Sequence, residues 1–251
     1  MSTPPVDPRV RERWIAARRA EGRRRLRIVL GAAVTVLALA VAWAAVASPF
    51  LDVDHVDVAG SVHATPVQIG DAAGIHRGDA MVLLDAGAAR ARLDSLPWVL
   101  SARVKRNWPG TVAITVRERS PVAWVARSAG AVVVDGTGRV LERVGTPPTD
   151  LPQVVAPRRV PPVGAVISPT AGARVAGRLK GLVRAGTRRV VVTRHGVVLV
   201  VASGLEIRLG QPSAVMTKIR AALAVLRALD GQATSYVDVS VPSNPVAGPP
   251  S

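Results

Sequence analysis

The sequence predicts an α+β chain: one apolar helix of membrane-spanning length, a small β-α-α-β-β unit, and a β-rich domain with two helices. Three observations lead there. Residues 28–47 carry no charge and directly follow a segment with nine arginines. Two alternating stretches flank the turn Asn107-Trp108-Pro109-Gly110. Beyond residue 120, alternation recurs between glycine-containing breaks, and helical spacing appears twice.

The apolar stretch comes first. At about 1.5 Å per residue, a helix from Ile28 to Ala47 reaches roughly 30 Å, the thickness of a hydrocarbon core. Trp43 near its far end suits an interfacial anchor, and Ser48-Pro49 ends the helix. A buried core helix is a poorer reading, because this one is apolar on every face. A cleaved leader is the other alternative, since Ala45-Val46-Ala47 has the form of a cleavage site. Against it, the apolar region and its basic head are both longer than leaders carry. Residues 1–27 set nine arginines against Asp7, Glu12 and Glu21, so this side is expected to stay in the cytoplasm. The expectation is a single-pass anchor with residues 48–251 outside.

Charge follows this division. The formal net charge is +16, carried mostly by arginine, with only Lys105, Lys180 and Lys218 as lysines. The tail holds +6 of it, suited to anionic lipid headgroups. The exported part has 24 basic and 14 acidic residues, a net +10. Exported chain does not meet DNA, so nucleic acid is excluded as its partner. With no cysteine there is neither a disulfide nor a thiolate site.

Residues 48–119 form the first exported unit. A strand over "LDVDHVDVAGS" turns Val53, Val56 and Val58 inward. Thr65-Pro66-Val67-Gln68 has the signature of a helix start, with Thr as N-cap, Pro at N1 and Gln reaching back, and this helix stops near Gly74. A second helix is expected from Asp85 to Ser95, with Leu84, Ala88, Ala91 and Leu96 apolar. Strands follow at 99–106 and 111–118, with Val112, Ile114 and Val116 facing a core. In the turn, Pro109 presets its backbone angle and Gly110 is expected at positive φ.

These residues resemble a known family. "VDHVDVAGSVHATPVQI", "RLDSLPWVLSARVKRNWPGTVAITVRERSPVA" and "VVVDGTGRV" are similar to the FtsQ/DivIB family of bacterial cell-division proteins over about residues 28–241. The resemblance implies a membrane span, a POTRA domain at 48–119 and a β domain at 120–241. It also implies a non-catalytic divisome role at the septum, with partners similar to FtsB/DivIC and FtsL.

In the second domain Asp135-Gly136 is expected to make a hairpin turn. The proline-rich "TPPTDLPQVVAPRRVPPVG" is expected to be an extended loop. A helix from Ser168-Pro169 to about Arg184 would present Val175, Leu179, Leu182 and Val183. A three-strand meander breaks at His195-Gly196 and Ser203-Gly204. A longer helix from Pro212 would present Val215, Ile219, Leu223, Leu226 and Leu229. The last strand runs from Ser235 to Val241, with Val237, Val239 and Val241 inward and Tyr236, Asp238 and Ser240 outward. Residues 242–251 are expected to fray, which leaves this strand an open edge. By resemblance it is the strand that binds the FtsB-like partner, although "PSNPVAGPPS" lacks the family's following aromatic.

No catalytic constellation appears in the sequence. His55, His63, His76 and His195 lack metal-site spacing, and Asp52, Asp54, His55 and Asp57 have the character of a solvated strand edge. No serine sits in a nucleophile-elbow context, and the glycine clusters lack a phosphate loop's Lys-Ser/Thr ending. Trp98 and Trp108 are expected to pack rather than stack a sugar. No cofactor or metal is expected. A chaperone-like exported module and a wall-polymer binder remain as alternative functions.

Overall fold

The structure, a computed structural model, describes residues 27–41, 43–44, 51–155, 160–179, 181 and 186–249. Residues 27–41 are helical (α1), as are 43–44, and Ile28 and Trp43 lie exposed there. Ala47 and the basic tail lie outside the described residues. Among the described residues no helix is long and apolar enough to cross a membrane.

The first unit has the expected order: β1 (His55–Ala59), α2 (Pro66–Ala73), α3 (Ala86–Ser95), β2 (Val99–Asn107) and β3 (Thr111–Glu118). Its three-stranded sheet has the order β1-β3-β2, with β1 parallel and β2 antiparallel to β3. The capping box of α2 is complete: Gln68 N donates to Thr65 Oγ1 at 3.3 Å, and Thr65 N donates to Gln68 Oε1 at 2.9 Å. Val112, Ile114 and Val116 are buried with Val53, Ile69 and Leu93 in one core.

Two local expectations change. The buried face of α3 is Ala89 and Leu93, not Ala88 and Ala91. The helix begins only after Asp85, whose Oδ1 accepts from Gly87 N and Ala88 N, so Leu84 and Leu96 fall outside it. With alanines on both faces, the sequence alone does not distinguish the two stripes. Gly110 is also absent from the residues at positive φ. Glycine is required there by close approach: a Cβ would lie 2.2 Å from Asp54 Oδ2 and 3.1 Å from Asp52 O. Asp54 N and His55 N both donate to Gly110 O, at 2.7 and 3.1 Å, tying the turn to the start of β1.

Only Arg119 and Ser120 separate β3 from β4 (Pro121–Ala126). The second sheet continues with β5 (Ala131–Asp135), β6 (Val140–Val144), β7 (Gln153–Val155), β8 (Thr187–Thr193), β9 (Gly196–Val201), β10 (Glu206–Gly210), β11 (Tyr236–Asp238) and β12 (Val246–Gly248). These nine strands lie in the order β12-β11-β10-β9-β8-β7-β4-β5-β6. The meander of β8, β9 and β10 is antiparallel, as its turn signals predict. Helix α4 (Ala171–Ala176) packs on β4, β7, β8 and β9, and α5 (Val215–Ala228) packs on β10 and β11.

Tertiary context overrides four expectations in this domain. The proline-rich stretch contributes β7, whose Val154 is fully buried between parallel neighbours β4 and β8. Helix α4 is only six residues long and ends at its C-cap, Gly177; Val175 and Leu179 are buried, while Leu182 and Val183 lie outside the described residues. In α5 Val215 and Ile219 are buried and Leu226 packs on the core as expected, but Leu223 is exposed and Lys218 and Ala222 complete the buried face. Lys218 lays its aliphatic stem in the core while Nζ donates to Leu209 O (2.7 Å) and Gln211 O (2.8 Å). Finally, the segment expected to fray forms β12, so β11 is not an open edge.

Candidate partner-binding site

The far end of the nine-stranded sheet is built from β10, β11 and β12. β11 runs parallel to β10, pairing Glu206 with Tyr236 and Arg208 with Asp238. β12 runs antiparallel to β11, pairing Tyr236 with Gly248 and Asp238 with Val246. Alternation seats Val237 and Val239 at 0% exposure in the core, as predicted. Val241 departs from that pattern and is 58% exposed. The strand has ended by then: Asp238 Oδ1 accepts from Ser240 N at 2.9 Å, closing a local turn that competes with the ladder. Ser240 therefore sits in a bend rather than a strand.

Tyr236 lies on the sheet face opposite the core, half-buried. The Arg208 guanidinium stands 4.0 Å from its ring centroid, a cation–π distance. Glu206 Oε2 accepts from Arg208 Nε and Nη2, at 3.3 and 3.2 Å, and steers it over the ring. The other side of the ring faces Gly248, where a Cβ would lie 2.2 Å from Tyr236 Cε1. The sequence signals the outward placement of Tyr236, but not its sandwich between Arg208 and Gly248, because the three residues are far apart in the chain.

The predicted residues thus separate into groups. Tyr236, Val237 and Asp238 come together on one strand, followed by the buried Val239 and by Ser240 and Val241 in a bend. Trp108, Pro109 and Gly110 lie in the other unit, in the turn between β2 and β3. Trp108 is exposed with Arg106 beside it, and Trp98 stacks on His63 at 3.5 Å between ring centroids. Among the described residues, no group of three or more His, Cys, Asp or Glu is placed to hold a metal ion.

Sequence reading missed the electrostatics joining the two units. Arg119 donates through Nε to Val99 O (3.1 Å) and through Nη1 to the buried Asp135 Oδ2 (2.8 Å). Burial pushes the Asp135 carboxyl up, but Thr137, Arg119 and Arg139 donate to it and hold it below the usual range. Arg139 Nη2 also reaches Ser95 O across the junction, at 3.4 Å. In the first unit, partial burial pushes Glu118 up, yet hydrogen bonds from His63 and the Val62 and His63 amides prevail and lower it to about 2. The Arg119–Asp135 pairing had a signal of opposite charges, but its members lie in different units.

A three-stranded sheet backed by two helices, followed by a long sheet with a short terminal edge, defines the POTRA-plus-β-domain class. Residues 51–119 match the description "POTRA domain, FtsQ-type", and residues 123–240 match "Cell division protein FtsQ/DivIB, C-terminal". Relatives named cell division protein FtsQ include one from Streptomyces collinus, 31% identical over 91% of this chain and 90% of its own. One from Corynebacterium glutamicum is 34% identical over 51% of this chain and 56% of its own. The solved extracytoplasmic domain of DivIB from Geobacillus stearothermophilus is 21% identical, covers 45% of this chain and 95% of that one, and has a TM-score of 0.34. The chain belongs to the FtsQ/DivIB family of bacterial cell-division proteins.

Proposed function

We infer that this chain is a non-catalytic, bitopic scaffold of the division machinery at the septum. Residues 28–47 span the cell membrane once, and the basic residues 1–27 stay beside anionic lipid on the cytoplasmic side. The exported domains bind proteins similar to FtsB/DivIC and FtsL and so support septal wall synthesis. The supports are family membership, the uncharged stretch after the arginine-rich tail, and the exposed apolar side chains of α1.

The FtsB-like partner adds a strand at β11, with Tyr236 as anchor and the backbone of Tyr236 to Asp238 as template. One observation carries this reading: β11 is fixed in the core by Val237 and Val239, while among the described residues the only strand beyond it is three residues long. The test titrates the exported region of an FtsB-like protein against the full chain and its Tyr236→Ala variant. Loss of an aromatic anchor is expected to weaken binding by about 2 kcal/mol, roughly thirtyfold. Unchanged binding by a folded variant places the site elsewhere.

A further inference from the structure

β12 is held weakly for a strand that closes a sheet. It lies between Pro245 and Pro249, neither of which has an N–H to extend a ladder. Of its three residues only Ala247 packs on the core, while Val246 is half exposed. Gly248 adds no side chain, and the Tyr236 ring excludes one there. What remains is the short ladder, with Ser235 N donating to Gly248 O (3.1 Å) and the hydroxyls of Thr234 and Ser235 donating to the carbonyls of Gly248 and Pro249. β11 differs, because Val237 and the following Val239 are fully buried in the core.

We propose that β12 is a placeholder strand: it occupies the β11 edge in the resting chain and is displaced by an extended segment of the partner, which takes over the same ladder. This rests on the reading of β11 as the docking strand. The geometry of β12 specifies its replacement. The incoming segment runs antiparallel to β11, sets a small residue against Tyr236 where Gly248 lies, and sets an apolar one against Val237 where Ala247 lies. A segment without the flanking prolines supplies backbone N–H groups on either side of the three paired residues, where Pro245 and Pro249 supply none, and so outcompetes β12. If the placeholder is seated 99% of the time, it lowers the partner's apparent affinity about a hundredfold.

The test uses the full chain in lipid nanodiscs, titrated with the exported region of an FtsB-like protein. The forms compared with wild type are deletion of residues 242–251, Gly248→Val, Tyr236→Ala, and the double variant Asp238→Cys/Val246→Cys in oxidised and reduced states. The chain has no cysteine of its own, so the cross-link is unique. Opposed antiparallel residues lie about 4.5–5.5 Å apart at Cα, within disulfide reach. The deletion and Gly248→Val are expected to bind at least about tenfold tighter than wild type. The oxidised double variant is expected to bind at least about tenfold weaker than the same protein reduced. If Tyr236→Ala weakens binding while the deletion and the cross-link change nothing, the partner docks on the Tyr236 face of the sheet without displacing β12, so the placeholder is overturned while the site at Tyr236 stands. If Tyr236→Ala is also neutral, the docking site is elsewhere and both readings fall. Amide exchange at Val237 and Val239 gives a readout without partner: slow exchange in the deletion supports the placeholder, and lost protection shows that β12 is needed to hold β11 and overturns it.

Discussion

Gly110 and Gly248 pose the same local problem and belong to opposite situations. At each, an added Cβ would come within 2.2 Å of a side chain, of Asp54 in one case and Tyr236 in the other. Around Gly110 the contact is one of several: the amides of Asp54 and His55 donate to its carbonyl, Asp52 O is nearby, and Val53 is buried in the core two residues before β1. Around Gly248 there is a three-residue ladder, two hydroxyls donating to backbone carbonyls and one alanine methyl. A strand tied to the core by large side chains is part of the fold. A strand held through its own backbone groups and small residues is replaceable, because another backbone offers the same groups.

If the first unit and the near half of the second sheet form one block, the largest loss should come from breaking their joint. Asp135→Ala leaves Arg119 without its buried partner and is expected to cost about 3 kcal/mol, since an uncompensated buried charge is worse than no pair. Chemical denaturation of the full chain in detergent, followed by tryptophan fluorescence, measures it. A loss below about 1 kcal/mol would show that the two units are not coupled through this pair. Exchange at Val246–Gly248 should not change, because β12 lies at the other end of the sheet.

Gly110→Val tests the anchored side of the comparison more gently. The Asp54 carboxylate can swing aside, but Asp52 O is backbone and cannot, so the expected cost is about 1–2 kcal/mol. Denaturation that matches wild type would mean that the turn tolerates displacement from β1.

The smallest effect is one of pH. Glu118 has its folded pKa lowered from 4.5 to about 2, so its ionised form stabilises the fold. That contribution is complete above pH 4.5 and is lost as pH falls from there towards 2. Glu118→Gln is expected to remove about 1 kcal/mol at neutral pH and to flatten stability against pH over that window, as read from denaturation midpoints. A variant with the same acid sensitivity as wild type would assign the slope to other carboxylates, Asp135 first.

Features governed by neighbours in the chain were legible from residue spacing alone. The capping box of α2, the alternation of Val112, Ile114 and Val116, the meander of β8 to β10 and the inward Val237 and Val239 all depend on residues a few positions apart, where spacing states the geometry. Tertiary structure decided what depends on residues brought together from afar. It placed β7 inside a proline-rich stretch, because β4 and β8 offer a ladder on both sides. It put Lys218 on the buried face of α5, because the carbonyls of Leu209 and Gln211 at the end of β10 accept from its Nζ. It also laid Val246–Gly248 along β11, because an unpaired backbone edge is satisfied by whatever strand lies within reach, and no periodicity in three residues announces that pairing.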